Sequence, residues 1–497
     1  MADAPRSGDT SGLTDYGYRQ QLTRSLGSFS SFAASFSALS LMTGVFQVWF
    51  IGYAFGGPAF FWFWPIVFAG QMLVALVFAE LAARYPLAGS MYQWARHLGG
   101  RAWGWHTGWV YMIAQLVTLP AVVVAVQLTL VPVFPALSFS DDFSQNAVLL
   151  GLIVLAVVTA VNLVGVRLMS TINNVGVAAE IIGATLLIVL LAIHVTRGPG
   201  VVMETNGTGT GHSLGYLGAF LVAGFASLYN MYAFDTASTL AEETEDPRRN
   251  APRAILRALF MAGAMGLIIV LLSLMVIKDL GAAELSTSGL PFIVKDVLGD
   301  TVGDLMLLDV TVAIVVCSLA LQAWSARTLF AMGRDGELPG SRLLARVSEE
   351  SRVPVVPTLA TAVFGALILG INLNNPKAFN VIIALGIIFC YIAYLGVTVV
   401  ALRRRREGWM EDGRREGLFT MRPGIGTLVN LGAVVYGGAM VLNMMWPRAE
   451  FYGEEWYQQY AALIFVPLVL LAGSAYYFVF RRDAADVVPA QTVPAET

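Results

Sequence analysis

The chain has 497 residues, 57% of them hydrophobic and only 13% charged, with a formal net charge of −3 and a mean hydropathy of +0.68. Soluble domains carry about one quarter charged residues, so this composition excludes an ordinary soluble enzyme or binding module. The near-neutral balance gives no reason to expect a nucleic-acid partner.

The N-terminal "MADAPRSGDTSGLTDYGYRQ" is polar without an apolar core and does not read as a cleaved signal peptide. Twelve apolar runs follow, each close to the roughly 20 residues that cross the hydrocarbon of a bilayer. They are expected at 30–54, 60–83, 102–126, 146–166, 173–194, 215–239, 254–277, 303–332, 355–372, 378–400, 425–446 and 459–480. No room is left for a sizeable soluble domain. The final "ADVVPAQTVPAET" reads as a disordered tail. The expected class is an all-α polytopic membrane protein whose surroundings are lipid.

The basic residues orient it. With the N-terminus in the cytoplasm, 25 of the 30 Lys and Arg fall on the inner side, including the run "RRRREG" at 403–408, and Arg197, Lys278, Lys295, Lys377 and Arg448 fall outside. The positive-inside rule selects this topology. An even number of spans then returns the C-terminus to the cytoplasm, giving a multi-pass protein of the cytoplasmic membrane.

Several chemistries lack their residues. Cys317 and Cys390 both lie within apolar runs and read as packing residues rather than a disulfide. His97, His106, His194 and His212 have no metal-ligand spacing, and there is no G-x-x-x-x-G-K-[ST] phosphate loop. The "NGTGTG" stretch at 206–211 falls in an expected external loop and not between a strand and a helix, so it is no phosphate cradle. No cofactor is expected.

The helices themselves contain interruptions. Thr43-Gly44 weakens the first span within "SLMTGVFQ", and "NMYAFDTAS" at 230–238 interrupts the sixth with a carboxylate, Asp235. A charge at membrane depth costs about 3 kcal/mol or more, which marks Asp235 as functional. Breaks at corresponding places in two halves point to a substrate site at the bilayer midplane, and unwound backbone is tolerated there only if it lines a cavity or is buried in protein.

Three separated segments carry a family resemblance. "FDTASTLAEETEDPRRNAPRAI" at 234–255, "AELAARYPLAGSMYQWARHLGG" at 79–100 and "ARTLFAMGRDGELP" at 326–339 closely resemble the helix 6, helix 2 and helix 8 segments of the amino acid-polyamine-organocation transporters, especially the amino acid/choline branch. The resemblance runs from about residue 25 to 480. It implies the LeuT-like fold, a five-plus-five inverted repeat with two additional C-terminal helices and alternating access. The corresponding parts are a cytoplasmic tail 1–24, repeats 25–200 and 201–402, a cytoplasmic loop with helices 11 and 12 at 403–480, and a tail 481–497.

Two departures from the family pattern bear on the site. Where many members have G-S-G in helix 1, this chain has Met42-Thr43-Gly44: the amide-presenting end is kept for a substrate carboxylate and Met42 reshapes the pocket. In helix 5, Glu180 stands where some proton-coupled relatives have a lysine. Burial favours the protonated form of a carboxylate, so Glu180 is the candidate for proton coupling, with ligation of Na⁺ as the alternative.

Around the helix 6 break, Tyr232, Ala233, Phe234 and Asp235 are expected to meet a substrate amine through backbone carbonyls and the carboxylate, although Asp235 could instead cap the second half-helix. Gln115 is either a substrate contact or interhelical glue. Glu80 and Arg84, four apart, read as an inner-gate or structural pair. The implied function is secondary active transport of an amino acid such as 4-aminobutyrate, with an exchanger or a choline or polyamine carrier as alternatives. A channel or membrane-embedded enzyme is the other class, and no filter sequence or catalytic constellation supports it.

Overall fold

The computed structural model describes residues 13, 16–210, 214–373, 376–408 and 417–482. The N-terminal stretch to residue 12, most of the C-terminal tail and His212 lie outside the described residues. Among the described residues the chain is helical throughout, apart from one isolated parallel bridge between Leu26 and Thr244. An apolar chain in lipid has no water to satisfy its backbone, and the helix closes every bond within one segment.

The principal helices are α1 (Ser28–Leu39), α2 (Leu41–Gly56), α3 (Phe63–Arg84), α4 (Ser90–Gly99), α5 (Arg101–Val123), α6 (Phe143–Val164) and α7 (Val166–Ile193). They continue with α8 (Tyr216–Tyr229), α9 (Thr236–Thr239), α10 (Pro247–Met275) and α11 (Leu290–Arg334). The last are α12 (Val355–Asn372), α13 (Pro376–Arg406), α14 (Pro423–Met445) and α15 (Ala461–Tyr476). Ten segments among the described residues are long and apolar enough to cross a membrane, counting α1 and α2 together as one. Two shorter apolar helices, Tyr216–Tyr229 and Val355–Ile371, stand at the expected sixth and ninth spans. The molecule is thus an all-helical, multi-pass membrane protein.

Some boundaries differ from expectation. The expected span 254–277 begins earlier, at Pro247, because proline at the first helical position loses no needed hydrogen bond and the polar "PRRNAPRA" continues the helix. The expected span 303–332 is the second part of α11, whose 45 residues bend at Gly299, φ 75°. The first span breaks at Ser40, φ 38°, and not at Thr43-Gly44, which lie in the first turn of α2. The sixth is interrupted between Tyr229 and Thr236, with Ala233 at φ 66°.

Burial separates centre from periphery. The apolar stretch of Ser28–Gly56 is 94% buried, whereas that of Ala461–Arg481 is 17% buried. The interrupted segments therefore lie inside the bundle, where unwound backbone is shielded from lipid. α7 shows how periodicity sets depth. Val175, Ile182, Leu186, Val189 and Ile193 form an exposed apolar stripe, and Asn173, Gly176, Glu180, Gly183 and Leu187 occupy the buried face. That face packs on α1 and α11.

Candidate functional site

The two breaks meet in the middle of the bundle. A Cβ built on Gly44 of α2 would collide with Oδ1 of Asn230, which ends the first half of the sixth span, so glycine lets the Asn230 side chain approach and a larger residue would push it aside. Gly44 thus serves close contact, while the unwinding falls on Ser40. A cavity of about 10 Å³, room for about one water, lies beside the contact and is lined by Thr43, Gly44, Thr118, Tyr229, Tyr232 and Cys317, among others. Tyr232 donates to Thr118 Oγ1 (3.3 Å), and Tyr229 donates to Gln47 Oε1 (2.8 Å), whose Nε2 in turn donates to the Ala121 carbonyl (2.6 Å).

Glu180 reaches the first break from α7. Its Oε1 accepts the Ser40 hydroxyl and the Met42 amide, both at 3.0 Å, while its Oε2 is buried without a partner. Ser40 also bonds Thr43 Oγ1 at 2.7 Å. The carboxylate therefore sits on the positive end of α2, an anion site by dipole and by unpaired amides. The helix 1 amides expected for a substrate carboxylate are partly engaged here. Met42 donates to Glu180, and Gly44 donates to the Ser40 carbonyl at 3.0 Å.

Asp235 is fully buried and does not line the cavity. Tyr111 of α5 and Tyr394 of α13 each donate a hydroxyl to its carboxylate. Tyr394 also accepts the Ala233 amide (3.0 Å), and Tyr111 accepts from Trp324 Nε1 (2.6 Å). The side chain of Asp235 makes no capping bond to α9, so it joins α5 and α13 to the break instead. Phe234 packs its ring against Phe78 and Tyr394, and its carbonyl accepts from Ser35 at 2.6 Å. Gln115, one turn after Tyr111 on α5, is fully buried with neither side-chain polar atom hydrogen-bonded, so it is not interhelical glue.

One face of the bundle is sealed by charge. Glu243 pairs with Arg327 (2.8 Å), Glu242 with Arg334 (2.9 Å), Asp335 with Arg96 (2.6 Å), and Glu337 with Arg101 (2.9 Å) and Arg481 (3.1 Å). The segment before α1 lies across this face. Tyr18 donates to Asp335 at 3.0 Å, Gln20 donates to the Glu242 carbonyl at 2.7 Å, and the Leu26 amide donates to the Glu243 carbonyl at 2.9 Å. Glu80 takes Arg405 and the Met421 amide, tying α3 to α13 and the start of α14, and the Arg84 carbonyl accepts the Tyr16 hydroxyl (2.7 Å). At the opposite end, a cavity of about 480 Å³ is bounded by Tyr53, Asn206, Thr208, Leu280 and Ser286.

Sequence reasoning missed Ser40, Asn230, Tyr111 and Tyr394. Tyr111 had one available signal, its position one turn from Gln115 on a common helix face.

A model of the amino acid permease family matches residues 26–478. The chain is 26% identical over 412 residues to the amino-acid permease BAT1 of Arabidopsis thaliana, covering 77% of this chain and 78% of the relative. It is 26% identical over 423 residues to the BAT1 homolog of Oryza sativa subsp. japonica, covering 79% and 80%. With the GABA-specific permease of Saccharomyces cerevisiae it is 24% identical over 499 residues, covering 97% of this chain and 86% of the relative. A family match spanning nearly the whole chain makes this a transporter and not an enzyme: the chain belongs to the amino acid permease family of the amino acid-polyamine-organocation superfamily.

Proposed function

We propose that the chain is a secondary active permease that takes up an amino acid such as 4-aminobutyrate by alternating access in a LeuT-like, five-plus-five arrangement of twelve spans. Residues 25–200 and 201–402 would form the inverted repeats. The arginine-rich face would be cytoplasmic, as would both termini, in the inner membrane. The observation that carries this reading is the pair of strained breaks, with non-glycine residues at positive φ in Ser40 and Ala233, facing one small cavity. Such strain persists only when surroundings impose it, and it clusters at functional sites.

The substrate carboxylate would meet the α2 end at Thr43 and Gly44, and its amine the carbonyls of the helix 6 break. Gln115 supports a polar ligand nearby, because a buried amide without partners is costly until something bonds it. Asp235 is better suited to a gating role, since two tyrosine hydroxyls already occupy its carboxylate. Glu180 would carry the coupling proton, its open oxygen standing at the break that the substrate must also use. The sealed arginine-rich face supports a state closed toward the cytoplasm, with the 480 Å³ cavity as the outer vestibule.

Uptake into proteoliposomes of labelled 4-aminobutyrate, arginine, leucine and choline, with and without an inward proton gradient, tests the reading. The expected result is gradient-driven accumulation of an amino acid, lost in Glu180→Gln while exchange at equal pH persists. Gly44→Ala should lower uptake by about 10-fold or more, because overpacking at the two breaks costs about 1–3 kcal/mol. Drive by Na⁺ alone, or a gradient response unchanged in Glu180→Gln, would overturn the coupling role.

A further inference from the structure

A second carboxylate stands beside the first. Asp309 lies on α11 within an otherwise apolar stretch, is partly exposed, and has a buried Oδ2 without a partner. Its carboxylate rests against Gly183 of α7, where any Cβ would overlap it. Gly183 is one turn from Glu180 on the same buried face of α7, a rise of about 5 Å. The glycine leaves a notch through which a carboxylate from α11 enters the α7 interface.

Among the described residues no basic group bonds either carboxylate. Glu180 accepts hydrogen bonds from the Ser40 hydroxyl, between α1 and α2, and from the Met42 amide, while Cys317 and Asp309 of α11 lie within electrostatic reach without a bond to it. The other helices on α7 add little: α1 and α6 contain no charged residue, and the charges of α10 are Arg248, Arg249, Arg253 and Arg257, all in its first three turns. α7 runs from Arg167 at the arginine-rich face toward the opposite face, so Gly183 and Asp309 lie beyond Glu180 in that direction.

We propose that Asp309 is a relay carboxylate through which protons reach Glu180 from the face opposite the arginine-rich one. This rests on Glu180 as the coupling site. Asp309 takes a proton from hydronium on its exposed side and passes it inward through one bridging water, because no hydrogen bond joins the two carboxyls directly: the Asp309 O–H bond breaks as the water takes that proton, an O–H bond of the water breaks as the Oε2–H bond of Glu180 forms, and the Asp309 carboxylate is left to be reprotonated. The buried oxygens without partners, one on each residue, are the donor and acceptor such a step requires. The notch at Gly183 is what brings the second carboxylate within a turn of the first.

The test uses the full chain in proteoliposomes with a pH-sensitive dye inside, and a mixture of the twenty protein amino acids with 4-aminobutyrate as the probe. Amino-acid-dependent proton influx and exchange at equal pH are both measured. Asp309→Asn should slow the initial proton influx by about 100-fold, the scale of a lost proton-transfer group, leave exchange unchanged, and be rescued by Asp309→Glu. Gly183→Ala should copy the loss. Influx in Asp309→Asn equal to wild type, or exchange lost in parallel with influx, would overturn the relay while leaving Glu180 in place. No influx in wild type, or influx undiminished in Glu180→Gln, would overturn the Glu180 reading and the relay with it.

Discussion

The two faces of the bundle are closed by different means. At the arginine-rich face, Arg327 and Glu243 meet at 2.8 Å with side chains 1% and 0% exposed, Arg334–Glu242 is nearly as enclosed, and Arg96–Asp335 leaves only its arginine partly exposed. At the other, Lys278 and Asp296 stand 3.8 Å apart with side chains 65% and 44% exposed, both lining a cavity of about 160 Å³. A buried pair becomes costly when one partner is removed, because the remaining charge is uncompensated; an exposed pair is screened and contributes little. One face is therefore a lock with a definite breaking point, and the other a loosely covered entrance.

The largest effect should come from the lock. Glu243→Ala leaves Arg327 buried without its carboxylate and should destabilise the protein by about 3–5 kcal/mol, read by thermal unfolding in detergent. An intermediate effect is expected from pH. His97 on α4 is packed under Tyr85 at 4.9 Å, and burial lowers its pKa from the ordinary 6.5. A folded-state pKa below the unfolded one means that the unfolded chain takes the proton first. Stability is then full above the ordinary value and falls as pH drops through it toward the folded pKa. His97→Phe should flatten that part of the stability profile, and an unchanged slope would remove His97 as its source. The smallest effect should be at the entrance: Lys278→Ala should change stability by about 0–1 kcal/mol, and a larger loss would erase the contrast between the faces.

The contrast also separates what the sequence made legible from what it did not. Runs of apolar residues located the spans, because lipid imposes a length and a composition on each. The sixth-span interruption was readable in "NMYAFDTAS", where a carboxylate and small polar residues stand inside an apolar run. The first was misplaced: Gly44 suggested unwinding, but it serves the approach of Asn230, and the break falls on Ser40, a residue with no special signature. Asp235 was singled out by its charge, yet its partners Tyr111 and Tyr394 lie 124 and 159 residues away, where no local pattern joins them. Glu80 was paired with Arg84 by helical spacing, while Arg405, 325 residues on, is a partner that only folding supplies. Composition and periodicity act locally; the closure of a site is a long-range result.

Substrate is proposed to bind between the two breaks, where the one-water cavity would have to widen to admit it. Cys317 lines that cavity, and Cys390 is also buried, so a Cys390→Ser chain leaves one thiol as a reporter. The measurement is the rate of Cys317 alkylation by a small membrane-permeant thiol reagent in proteoliposomes, with and without the transported amino acid. Substrate should slow alkylation at concentrations that half-saturate uptake. Alkylation unaffected by saturating substrate, in a chain that still transports, would place the binding site elsewhere.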